Sequence, residues 1–109
     1  WKYEEVQMTI KKYDKLVRDR IPSIIKEQGK QCSYYVADDN EYQNRLIYKL
    51  KEELQEFEEN PCVEELADLH EVVVTIAETN KWDLLGARIK KNLKRGAFQK
   101  KYVLREVSE

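Results

Sequence analysis

The sequence predicts an all-α fold, a helical bundle of about four helices held in one domain spanning residues 1–109. Three observations predict it. Apolar residues recur at helical spacing through most of the middle of the chain. Cap and break signals divide that stretch into separate helices. Charged residues make up 38% against 41% hydrophobic, which in a short chain points to amphipathic helices or to an oligomer whose interface completes the core.

The opening, residues 1–7, precedes Met8 and reads as an upstream extension on which no fold argument rests. Asp19-Arg20-Ile21-Pro22 marks a helix start, with Pro22 in the first turn, where its missing N–H costs nothing. Ile21, Ile24 and Ile25 follow at helical spacing, and Gly29 ends the segment. Cys32 to Ala37 is rich in aromatic and β-type residues and is expected to be extended, as is the region near 98–106.

Asp38-Asp39-Asn40 supplies an N-terminal cap for a helix from Asn40 to about Glu59. Leu46, Ile47, Leu50, Leu54 and Phe57 form its apolar stripe. Asn60-Pro61 breaks it, and Pro61 is placed to open the next helix, to about Asn80. Val72 to Ala77 within that helix is apolar nearly all round, which marks it as central. Asp83 caps a last helix that runs to about Arg95 and stops at Gly96.

No apolar run approaches the ~18 residues that a membrane helix needs. Cys32 and Cys62 lie far apart with no CxxC, a pattern that fits two reduced thiols of a cytosolic protein better than a disulfide. His70 is the single histidine, so a zinc site is not expected.

The near-neutral total conceals an order of charge. Lys11 to Lys30 holds seven basic residues against three acids. Asp38 to Glu71 holds twelve acids against Arg45, Lys49 and Lys51. Lys81 to Arg105 holds nine basic residues against Asp83. Solvated helix faces that attract one another are the plain explanation. Both signs at one place would instead suit a metal on the acids and an anion on the bases. Stable nucleic-acid binding is not expected, because the acidic middle would repel phosphates.

Glu52-Glu53-Leu54-Gln55-Glu56 and Glu64-Glu65-Leu66-Ala67-Asp68 each carry an i, i+3 acid pair on one side of a helix. Both pairs flank the predicted apolar faces, and a short connection makes the two helices antiparallel neighbours. Four carboxylates so close must either gain protons or hold cations. Hard divalent ions prefer oxygen ligands, so Mg²⁺, with Mn²⁺ as a substitute, is the expected cofactor. Acid-rich helix surfaces are also common without any metal.

This double motif, EExxE then EExxD, resembles the metal-binding signature of the all-α nucleoside triphosphate pyrophosphatases of the MazG type. Tyr13 to Pro22 (YDKLVRDRIP) is similar to the opening of the phosphoribosyl-ATP pyrophosphohydrolase-like group. Lys94-Arg95-Gly96-Ala97-Phe98 is similar to that group's C-terminal end. The resemblance implies a Mg²⁺-dependent hydrolase that cleaves between the α- and β-phosphates of a nucleotide and releases pyrophosphate, in a house-cleaning role. It implies that Glu53, Glu56, Glu65 and Asp68 hold the metal. Glu52 is the candidate for orienting or deprotonating the attacking water, and Glu56 could exchange roles with it. Lys15, Arg18 and Arg20 are candidates for the phosphate chain, with Lys91, Lys94 and Arg95 approaching from the other end. In the last turn of a helix, cations equally complement the helix dipole. A homodimer or higher assembly is implied too. The alternatives are a nucleotide-binding regulator without turnover and a noncatalytic helical interaction module.

Overall fold

Four helices, α1 (Ile21–Glu27), α2 (Asp39–Glu59), α3 (Val63–Thr79) and α4 (Leu84–Arg95), make up the regular structure of the computed structural model. It describes residues 10–109, and the extension at 1–7 lies outside them. The protein is all-α, with no strand among the described residues. Segments 32–37 and 98–106 form no ladder; apart from a turn at Gln99 and Lys100 they lack regular structure.

Local chemistry sets the helix ends. The Asp38 carboxylate accepts the Glu41 N–H at 2.8 Å, and Asp83 accepts that of Gly86 at 2.9 Å. Each carboxylate satisfies a donor that the first turn leaves without a backbone partner. Gly96 ends α4 at φ 79°, a left-handed conformation that a side chain disfavours. Pro61 does break the chain, but it stays outside α3. Cys62, in an extended conformation, is the residue that begins that helix.

α2 and α3 pack side by side as an antiparallel hairpin. Far from the Pro61 loop, Gln43 and Asn80 exchange two amide hydrogen bonds of 3.1 and 3.3 Å. That clasp fixes the register of the two helices. Between the helices lie Leu46 (2% exposed), Val72 and Ala77, the buried apolar side chains among the described residues. The predicted stripe of α2 therefore divides. Leu46 faces inward and Leu50 and Phe57 are half-buried, whereas Ile47 and Leu54 face solvent.

With so small a core, Leu46 carries a large share of it. Leu46→Ala is expected to destabilise the protein by about 2–5 kcal/mol, the usual cost of such a cavity, as read by chemical denaturation. A loss below about 1 kcal/mol would mean that α2 and α3 are not held by this contact.

α4 makes no comparable packing with another helix. The chain measures 84 × 31 × 25 Å with a radius of gyration of 20.9 Å, where a compact chain of this length would have about 13 Å. It exposes 11190 Å², against roughly 6,400 Å² for a compact protein of its mass.

Candidate metal centre

The register of the hairpin sets Glu53 and Glu56 of α2 against Glu65 and Asp68 of α3. One carboxylate oxygen each from Glu53, Glu65 and Asp68 lie within 4.8 Å of one another, and so do oxygens of Glu52, Glu53 and Glu56. Glu53 belongs to both groups and joins them.

Glu53 is also the buried charged residue of the described chain, at 6% exposure. Its Oε1 lies 3.2 Å from the Lys49 ammonium. Its Oε2 has no hydrogen-bond partner, and neither has Oε2 of Glu65. A buried carboxylate oxygen left unpaired is costly. Two such residues in one group of three, with oxygen ligands alone, fit a hard divalent cation.

The surrounding charges differ from side to side. The Glu56 carboxyl is raised above its ordinary range. Burial is the largest cause, followed by the neighbouring Glu53 carboxylate and by the charges of Glu65 and Glu52. Burial also opposes ionisation of Glu52. There the hydrogen bond from Lys15 and the charges of Lys49 and Lys15 win, and the carboxyl is held low. The same bond holds the Lys15 ammonium above its ordinary value.

A raised Glu56 makes the folded chain bind more protons than the unfolded one between the ordinary and the raised value. Stability contributed by the protonated group is present at lower pH and is lost as pH rises through that window. Melting measured in chelator is therefore expected to fall with rising pH there, and Glu56→Gln to remove that fall. A fall that persists in Glu56→Gln would mean another group is responsible.

A strap formed by residues 14–20 runs over the hairpin. Asp14 is held by Arg45, which donates to its backbone oxygen and to Oδ1, both at 2.8 Å. Lys15 reaches Glu52 at 3.1 Å, and Arg18 reaches Asp68 at 2.7 Å. Beneath the strap is a cleft of about 450 Å³ that opens beside Glu53 and Asp68. Leu16, Val17, Ile21, Leu46 and Val72 give it apolar lining, and Arg18, Arg20 and Tyr42 line it as well.

The structure thus gathers Glu52, Glu53, Glu56, Glu65, Asp68, Lys15 and Arg18 at one place, with Arg20 on the cleft. It does not bring Lys91, Lys94 and Arg95 there within one chain. All three are exposed on α4 and make no ion pair among the described residues. Two residues that the sequence reading passed over matter here. Lys49 pairs with Glu52 and Glu53 at i+3 and i+4, a spacing that was readable. Arg45 holds Asp14 from 31 positions away, and no local signal announces that contact.

Comparisons with protein-family models, with curated proteins and with solved structures found no match for this chain.

Proposed function

We propose that the protein is a Mg²⁺-dependent nucleotide pyrophosphohydrolase, cleaving the α–β phosphate bond of a nucleoside triphosphate or related nucleotide in a house-cleaning role. The observation that carries this reading is the Glu53 carboxylate, buried with an unpaired oxygen at the centre of four further acids. Its surroundings suit a phosphate chain. Lys15, Arg18 and Arg20 line one side, and the apolar cleft is in the usual size range for a small-molecule site. The double acid motif and the YDKLVRDRIP segment, with their likeness to MazG-type pyrophosphatases, support the same reaction.

In this reading Glu53, Glu56, Glu65 and Asp68 hold the ion, with Mn²⁺ able to replace Mg²⁺. Bound there, the ion supplies charge neutralisation for the phosphates. Glu52, ionised and hydrogen-bonded by Lys15, orients the attacking water and accepts its proton. Glu56 is the second candidate for that proton. The apolar cleft receives the nucleoside and excludes water from it.

The chain works in this reading as a homodimer or higher homo-oligomer. Among the described residues one chain buries three apolar side chains and leaves Leu85, Ile89 and Leu93 of α4 exposed at four-residue intervals. α3 exposes a shallow apolar groove of Val63, Leu66, Ala67, Leu69, His70 and Val73. Association with a second copy would cover both surfaces. It also offers a route by which Lys91, Lys94 and Arg95 could reach a carboxylate cluster. The free thiols Cys32 and Cys62 suit a cytoplasmic location, and no helix among the described residues is long and apolar enough to cross a membrane.

The test is a panel of nucleoside triphosphates with Mg²⁺, assayed for pyrophosphate release, with Glu53→Gln beside the wild type. Release by the wild type alone supports the reading. No release with any nucleotide, from folded protein that binds metal, would favour a regulator that binds without turnover.

A further inference from the structure

We infer that Asp68 exchanges one cation for another: Arg18 holds it in the metal-free chain, and metal binding frees the Arg18 guanidinium for the phosphate chain, so metal binds before nucleotide. This rests on the metal reading above and adds an order of binding to it.

The observation is a shared carboxylate. Asp68 Oδ1 accepts a hydrogen bond from Arg18 Nη2 at 2.7 Å. Asp68 also belongs to the donor group with Glu53 and Glu65, and both of those carry a buried oxygen without a partner. The Glu53 side chain is more than nine-tenths buried and faces this group. A divalent ion seated among the three would compete with Arg18 for the same carboxylate. It would also repel the guanidinium, since like charges at this separation are unfavourable.

The exchange needs little rearrangement. The Arg18 and Asp68 side chains are 59% and 39% exposed, and an ion pair so exposed is weak. The strap itself stays anchored. Arg45 keeps its two bonds to Asp14, and Lys15 keeps Glu52. The Ile21 N–H also donates to the Arg18 backbone oxygen at 3.1 Å. Only the Arg18 side chain has to turn, and it turns over the cleft that Arg18, Arg20 and Asp68 line. Before metal arrives Arg18 is engaged and the acids repel phosphate. After metal arrives both obstacles are gone.

The test titrates the full chain with Mn²⁺ alone by calorimetry, for wild type, Arg18→Gln, Arg18→Lys and Glu53→Gln. Arg18→Gln is expected to bind the metal roughly three- to fivefold more tightly than wild type, the factor that a weak exposed pair represents. Arg18→Lys, which keeps the charge, should stay near wild type. In ¹⁵N-labelled protein, the Arg18 side-chain N–H signal should move on adding Mg²⁺ while that of Arg45 stays. Equal affinities for wild type and Arg18→Gln, with the Arg18 signal unmoved, would overturn the exchange and leave the metal site standing, provided Glu53→Gln still abolishes binding. Absence of metal binding in the wild type would overturn both. Far-UV circular dichroism checks each fold, and the labelled wild type reports the exchange without any substitution.

Discussion

On the proposed pyrophosphohydrolase reading, Glu53→Gln is expected to lower pyrophosphate release by at least about 10³-fold, in the range seen when a group that stabilises transition-state charge is removed. Glu53 is the residue shared by both oxygen groups, so its loss damages every arrangement of the ion that those groups permit. The amide keeps the size of the side chain but offers one neutral oxygen in place of a charged pair. Stability should respond in the opposite direction from activity. In the wild type Oε2 of Glu53 is buried and unpaired among like charges, so neutralising the group relieves repulsion. Lys49 loses one partner and keeps Glu52 at 3.4 Å. Melting in chelator should therefore hold or rise, while the stabilisation by Mg²⁺ disappears. At a hundredfold excess over Kd that stabilisation is about 2.7 kcal/mol, on the order of 10 °C for a chain of this length. A variant that keeps the Mg²⁺-induced rise would place the ion elsewhere.

On the proposed homo-oligomer, Ile89→Lys combined with Leu93→Lys is expected to dissociate the assembly. The two side chains are 51% and 85% exposed in the single chain, where such changes would ordinarily matter by less than about 0.5 kcal/mol. In an oligomer that covers this face, each substitution removes apolar burial and forces a charge out of water. Together they should cost at least about 5 kcal/mol of association, more than a thousandfold in Kd. Light scattering would then report a monomer, and the melting temperature would fall with it, because the isolated chain has little core. Unchanged mass and melting would show that this face of α4 is not an interface.

What could be read from the sequence was what short-range rules govern. Asp38, Asp83 and Gly96 each act within a turn of their own position, and each lies where those rules put it. Pro61 was legible as a break but not in its position relative to α3, because a proline bars continuation without stating where the next helix begins. The acid pairs were legible as pairs. Their depth was not: periodicity says which residues share a face, and only packing says how deeply a face is covered. Glu53 was read at the margin of a stripe that included Ile47 and Leu54, yet it is buried while those two are not. Cover comes from α3 and the strap on one side only. The contacts of the strap span 31 to 50 positions, and in the sequence they showed only as a basic block preceding an acidic one. The exposed α4 marks the limit on the other side, since amphipathicity predicts that a face will be covered and is silent on whether its own chain covers it.

The amide clasp between Gln43 and Asn80 has a bearing on how the two ends of the hairpin answer their surroundings. It carries no net charge, so neither salt nor protons act on it directly. At the other end the chain itself joins the helices through residues 60–62, and the strap is held there by Lys15 on α2 and Arg18 on α3, contacts that dissolved ions weaken. The hairpin and its strap are therefore held by fasteners of different kinds, one indifferent to the ionic medium and one attentive to it. Changes of medium would loosen the strap from the acidic end while the connection and the amide clasp keep the helices aligned, so that the carboxylates can be uncovered and covered again in the same register.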